Sequence, residues 1–165
     1  MKTMTILAFV LLFTLSPENT HCRQTVSVRP DLSRSPNIGQ WDLDGTGSWR
    51  IDAGKLILSK AGTPSGPIRR PAALAILKTK LLRRVTVEAD IRSTASPDVA
   101  RRDLDVIVGY ESPTRFYYIH LSATSDDVHN GIFLVNNADR VRIDSGKGKP
   151  QLTDFSWHRV RVERD

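Results

Sequence analysis

The chain reads as an all-β protein, an antiparallel two-sheet sandwich of the jelly-roll kind. Three observations predict it. Apolar residues alternate with polar ones in runs of five to eight residues from Ser48 to Glu163. These runs are separated by short clusters of Gly, Pro, Asn and Asp. Almost no stretch carries the three-to-four residue apolar period of a helix. Close-spaced short strands with turn chemistry between them are the signature of a sandwich or barrel.

The N-terminus stands apart from that pattern. Lys2 gives a positive start, and Thr5 to Leu15 is an uninterrupted apolar run. It is shorter than the ~20 residues a membrane-spanning helix needs and fits the apolar core of a secretory signal. Residues 1–22 are therefore read as a signal peptide, cleaved between Ser16 and Gln24, with an uncleaved anchor as the alternative. The expected location is secreted or periplasmic, with no stable membrane insertion after cleavage. Cys22 is the single cysteine, so no internal disulfide can form and the core must hold the fold alone. That combination suits a bacterial exported protein.

Residues 23–40 are polar with two prolines and read as a lead-in arm, with at most an edge strand at Thr25 to Val28. The domain, 41–165, opens at Trp41. Asp42 to Gly47 is a turn and Ser48 to Ile51 a strand. Asp52-Ala53-Gly54 is hairpin chemistry, because Gly54 can take a positive φ, and Lys55 to Ser59 returns. Three prolines and two glycines make Gly62 to Pro71 a loop. Ala72 to Lys80 has helical propensity but strand-like length and flanks, and is assigned as a strand.

Arg84 to Arg92 alternates most cleanly, with Val85, Val87, Ala89 and Ile91 inward. Asp103 to Tyr110 follows, with Leu104, Val106, Val108 and Tyr110 sharing a face. After the Glu111–Thr114 turn, Arg115 to Ser122 is a strand carrying Phe116, Tyr118 and His120 on one side and Tyr117, Ile119 and Leu121 on the other. Ser125 to Gly131 is a polar turn. Ile132 to Val135 and Arg140 to Asp144 pair around Asn136 to Asp139. Ser145 to Asp154 is a loop, and Trp157 to Glu163 a last strand. Since no partner strand follows it, the domain is expected to be C-terminally incomplete or to end on a sheet edge.

The quoted segments WDLDGTGSWRIDAGKLILSKAGTPSGPIRRP, TVEADIRS, RDLDVIVGY, SPTRFYYIHLSA, DDVHNGIFLVNNADRVRID and WHRVRVERD resemble exported bacterial concanavalin A-like lectin/glucanase domains, near the 3-keto-disaccharide hydrolase-type group. The resemblance spans Trp41 to Asp165. It implies two curved sheets whose concave face binds saccharides, and further strands after WHRVRV in complete members. Glucanases of this fold carry a Glu-x-Asp-x-x-Glu or Glu-x-Asp-x-Glu strand. Here Asp103 stands at the first position and Asp105 at the second, while Ile107 and Val108 occupy the last. Two residues on one strand face lie roughly 7 Å apart, a separation glycosidase chemistry can use. Without the glutamates, a polar face neutralised by Arg101 and Arg102 is the simpler account.

Site chemistry is expected in two places. If Tyr117, Ile119 and Leu121 are core, Tyr118 and His120 line an open sheet, the ring as a sugar platform and the imidazole as a hydrogen-bonding group. The opposite account makes His120 an interior histidine. The Asp126-Asp127-Val128-His129-Asn130 turn brings oxygen ligands that could hold calcium at Asp126 and Asp127, and a histidine with no turn rationale. A zinc site is not expected, because no single element carries two histidines at ligand spacing. Trp41, Trp49 and Trp157 read as core or edge packing rather than sugar platforms, and Asp139-Arg140 and Arg142 with Asp144 mainly as cross-strand ion pairs.

The sequence thus favours a saccharide-binding module without an obligatory cofactor, whose contacts are Tyr118, Arg102, Asp126, Asn130 and Arg115. The alternative is a hydrolase of the 3-keto-disaccharide type using His120, His129 and Asp103. A keto group acidifies a neighbouring C–H, so a His or Asp base could promote elimination. A structural module of a surface assembly is the third class. A histidine beside a carboxylate in a cleft favours the enzyme. The +6 net charge is spread among acidic residues, without a basic run interleaved with aromatics, so nucleic acid is not an expected partner.

Overall fold

A computed structural model describes residues 27–33, 35–79, 84–99, 102–146 and 148–165. The signal segment, Thr25 and Arg101 lie outside the described residues. Ser35–Gln40 is a 3-10 helix. The strands are β1 Trp41–Asp44, β2 Ser48–Asp52, β3 Lys55–Lys60, β4 Leu74–Leu77, β5 Val85–Ile91, β6 Leu104–Ser112, β7 Arg115–Leu121, β8 Gly131–Asn136, β9 Val141–Arg142 and β10 His158–Arg164. The protein is all-β and its strand pairs are antiparallel: β1 with β4, β2 with β3, β5 with β10, and a four-stranded sheet in the order β6-β7-β8-β9. β10 also runs against β6. Ser27 and Val28 form no strand, so the expected edge strand is absent from the described part of the arm.

Local sequence explains most of these elements. The β2–β3 hairpin turns at Ala53 and Gly54, both at positive φ, 45° and 73°, the twist-matched geometry of a two-residue hairpin. β5 alternates half-buried and exposed residues throughout. Its outward Asp90 and Glu88 face Arg159 and Arg161 of β10. The Ala72–Lys80 stretch yields the strand β4 despite its helical composition. Leu74 is 1% exposed against the sheet, and burial there outweighs an intrinsic preference of a few tenths of a kcal/mol per residue.

The core comprises Leu74, Phe116, Tyr118, Phe133 and Val135, with Ile68, Ile76, Ile107 and Tyr110 packed on it. This reverses the expected sides of β7. Tyr118 is 0% exposed and Phe116 1%, whereas Tyr117 retains 37%. Tyr118 is thus a core ring, stacked on Phe133 at 5.3 Å, and not a sugar platform. Alternation alone could not choose, because both faces of β7 are apolar.

Tyr110 is a second correction. A shift of register between Val108 and Ser112 breaks the β6–β7 ladder, and Gly109 there has φ 58°. A Cβ at Gly109 would meet Tyr117 Cδ2 and Arg164 Nε at 3.1 Å. The bulge turns Tyr110 away from Val108 and onto the core beside Phe116, centroids 6.0 Å apart. Trp157 is 48% exposed, with the Arg92 guanidinium 4.8 Å above its ring, so of the two kinds of packing it is an edge residue and not core.

Candidate functional site

The polar residues gather at one end of the four-stranded sheet, where β6 begins, β7 ends and the 122–130 loop crosses to β8. Strand geometry places Asp103 and Asp105 on one face. The register sets Asp105 opposite His120. His120 Nε2 lies 3.5 Å from Asp103 Oδ2, and Nδ1 lies 2.8 Å from Asp105 Oδ1. These approaches are bent. Both His120 nitrogens, Asp103 Oδ1 and Asp105 Oδ1 are buried without a well-directed hydrogen bond among the described residues. Buried polar atoms are normally paired, and leaving them unpaired costs on the order of 1–3 kcal/mol each. The contacts here are ion pairs rather than aligned hydrogen bonds.

The loop delivers the second imidazole. Asn130, at φ 49°, accepts the Ser122 N–H at 2.8 Å and donates to Thr124 O at 2.5 Å, closing the loop across its base. Asp126 Oδ1 accepts the Val128 N–H at 2.8 Å and sits 2.7 Å from His129 Nδ1. The rings of His120 and His129 stand 5.4 Å apart. One ligating atom from each of Asp103, His120 and His129 lies within 4.8 Å of the others. Tyr118 and Phe133 meet the His120 ring edge-on at 6.0 and 5.9 Å, forming an apolar floor. His120 keeps 5% of its side-chain exposure, while Asp103 and His129 keep 23% and 21%. The cluster therefore opens to solvent on its Asp103–His129 side.

Electrostatics follow from this packing. Burial opposes a charge on His120, but the two carboxylates beside it, Asp103 and Asp105, outweigh burial and push its pKa up to about 9. Burial likewise raises Asp103, yet His120, Ser122 and His129 together hold it below the usual carboxylate range. The Val128 N–H, and then His129, lower Asp126. Burial drives the Tyr118 phenol upward, against the nearby Arg140.

Two arginines of the β8–β9 hairpin clamp the loop. Arg142 Nη1 donates to Asp126 O at 3.0 Å and Nη2 to Asn130 O at 3.1 Å, while Asp144 grips its guanidinium at 2.9 and 3.0 Å. Arg140 donates to Val128 O at 3.1 Å and to the Tyr118 hydroxyl at 3.0 Å. Arg142→Met is expected to speed amide exchange across residues 126–131 while leaving the centre of β7 protected. Hydrogen-exchange mass spectrometry checks this, and unchanged loop protection would remove the clamp assignment.

The structure brings Asp103, His120 and His129 together, and Asp126 behind His129. It does not bring Arg102, Asn130 or Arg115 to them as free contacts. Arg102 is 2% exposed, donates to Ser93 O and Asp154 O, and lies under Phe155. It therefore does not neutralise the Asp pair, a part His120 takes. The Asn130 amide is engaged within its loop. Arg115 is exposed, pairs with Glu111 at 3.2 Å, and sits at the far end of β7, roughly 17 Å along the strand from His120.

The oxygen-rich turn also supplies part of this cluster. Asp126 faces His129, and among the described residues Asp103, His120 and His129 form a group that could hold a metal ion. The two histidines come from different elements, His120 from β7 and His129 from the loop, so spacing on a single element could not reveal their meeting. Asp139 accepts the Arg69 N–H at 2.8 Å rather than pairing with Arg140, and Arg142 pairs with Asp144 along its own segment. Asp105 is legible in the sequence through its spacing of two from Asp103, whereas Arg140 and Arg142 read only as ion-pair residues and their hold on the loop has no local signal.

Two imidazoles and one carboxylate suit a borderline divalent ion such as zinc, iron, cobalt, nickel or manganese, and three protein ligands leave positions open for a substrate. The His120 nitrogens and Asp103 Oδ1, buried without a directed hydrogen bond, fit such an ion. Among the described residues no helix is long and apolar enough to cross a membrane. No family model, curated protein or solved structure matches the chain.

Proposed function

We propose that this protein is an exported, metal-dependent enzyme that cleaves the glycosidic bond of an oxidised, 3-keto disaccharide on a concanavalin A-like jelly roll. The observation that carries the reading is the convergence of Asp103, His120 and His129 around buried atoms lacking directed partners. A histidine beside a carboxylate is what separates a catalytic cleft from a simple sugar platform, and the aromatic ring expected to serve as that platform, Tyr118, is in the core.

Asp103, His120 and His129 would hold the ion. When bound, it supplies Lewis acidity to a sugar carbonyl. The carbonyl in turn acidifies the adjacent C–H, and Asp105 is the neighbouring carboxylate outside the three donors. The apolar floor of Tyr118 and Phe133 excludes water from one side and strengthens every charge interaction above it.

The second reading is saccharide binding without turnover, favoured by the partly exposed Tyr117 ring on the opposite face of the sheet. Metal titrations and turnover of 3-keto glycosides against their unoxidised parents decide between the two. The enzyme reading expects stoichiometric uptake of one divalent ion. It also expects metal-dependent cleavage of the keto substrates alone, and loss of both in His129→Ala. Sugar affinity without cleavage selects the second reading. Absence of both sinks the saccharide assignment.

A further inference from the structure

We infer that Asp126 is a positioning residue that holds His129 as the Nδ1–H tautomer, so that Nε2 is the nitrogen presented to the ion. The inference rests on the proposed metal reading and adds the origin of the site's preorganisation. A neutral imidazole donates through one nitrogen and ligates through the other, so the partner of the first decides which is free. The Asp126–His129 contact is the well-directed one in the cluster, 2.7 Å from Oδ1 to Nδ1, whereas both nitrogens of His120 lack such a partner.

Asp126 is itself fixed. Its Oδ1 takes the Val128 N–H, and its carbonyl takes Arg142. The turn that carries the carboxylate is thereby tied to the strand that follows it. The two imidazoles therefore differ in kind. His129 is aimed before the ion arrives, while His120 must exchange its ion pairs with Asp103 and Asp105 for a bond to the metal.

The test is Asp126→Ala, with Asp126→Asn beside it. One oxygen, Oδ1, takes both the Val128 N–H and His129 Nδ1, so an asparagine oxygen can keep both contacts, whereas alanine removes the acceptor that holds the proton on Nδ1. The Arg142 bond to the Asp126 carbonyl is main-chain on that side and survives either change. Asp127→Asn makes the same charge change one residue along the turn and serves as the control. Two readouts on the full chain, free of affinity histidines, are long-range proton–nitrogen correlation of the His129 ring and zinc titration.

The parent chain is expected to show His129 protonated at Nδ1. Asp126→Ala is expected to shift the proton toward Nε2 and weaken zinc binding about 10–100-fold, and Asp126→Asn to recover most of both. Asp127→Asn is expected to change neither. If the parent binds zinc and Asp126→Ala binds it equally well with the tautomer unchanged, the positioning role is overturned and the metal reading stands. Equal weakening in Asp127→Asn would mark a charge effect and also overturn the role. If the parent takes up no zinc, the metal reading falls and this inference falls with it.

Discussion

Replacing His120 with alanine is expected to destabilise the protein by about 3 kcal/mol at neutral pH and to abolish metal uptake. His120 is the cation between two carboxylates, 3.5 Å from Asp103 and 2.8 Å from Asp105. Its removal leaves both negative charges at one sheet end with no counter-charge between them. Loss of one partner from a buried ion pair costs about 3–5 kcal/mol, and the lower end applies because Asp103 and Asp105 keep 23% and 19% of their side-chain exposure. The apolar double variant His120→Leu with Asp105→Leu should recover much of the loss, since buried ion pairs are often replaceable by well-packed apolar groups. Urea denaturation of both variants measures this. A single variant within about 0.5 kcal/mol of the parent, the range of an ordinary surface change, would show that the carboxylates do not depend on His120.

The second expected result is a loss of stability as pH rises. The folded-state pKa of His120 is pushed from 6.5 to about 9. Below 6.5 both the folded and the unfolded chain carry the proton, and the stabilisation is fully present. Between 6.5 and about 9 the folded chain keeps a proton that the unfolded chain has released, so stability falls through that window. A shift of this size corresponds to about 3 kcal/mol. It is the same interaction that His120→Ala removes and is counted once.

Asp103 has the opposite sign: its pKa is depressed, so its contribution is present above the ordinary 3.8 and is lost as pH falls through the folded value. Denaturation midpoints of the chelated protein from pH 5 to 9.5 should decline above neutrality, and His120→Ala should flatten the decline. A parent profile that is level or rising between pH 6.5 and 9 would remove the charged state assigned to His120. A bound divalent ion competes with that proton, so loading should stabilise the protein most at the alkaline end.

Much of the fold was legible in the sequence because strands and tight turns are local. The alternation of β5, the Ala53–Gly54 hairpin and the polar 125–131 turn each depend on a few neighbouring residues. The candidate site was legible only as a set of chemically apt side chains. Asp103, His120 and His129 could be picked out as acid–base groups, but not as neighbours, because they come from three segments.

Counting outward from the β6–β7 turn, where Ser112 faces Arg115, would set Ile107 opposite His120. The register shift at Gly109 sets Asp105 there instead, and an apolar contact becomes an ion pair. Alternation could not say which face of β7 is buried, because Phe116 and Tyr118 on one side are as apolar as Tyr117, Ile119 and Leu121 on the other. The answer came from Leu74 and Ile76 of β4, which pack on the Tyr118 side.

By itself, then, the sequence determined an all-β chain with antiparallel strands and named the three groups of the candidate centre. Only the tertiary structure decided that Tyr118 is core, that Arg102 and Asn130 are engaged by backbone, and that two distant histidines meet a shared carboxylate. The physical reason is range. Periodicity and turn propensity act over a few residues, whereas register, the choice of buried face and convergence of loops depend on which distant surfaces exclude water together.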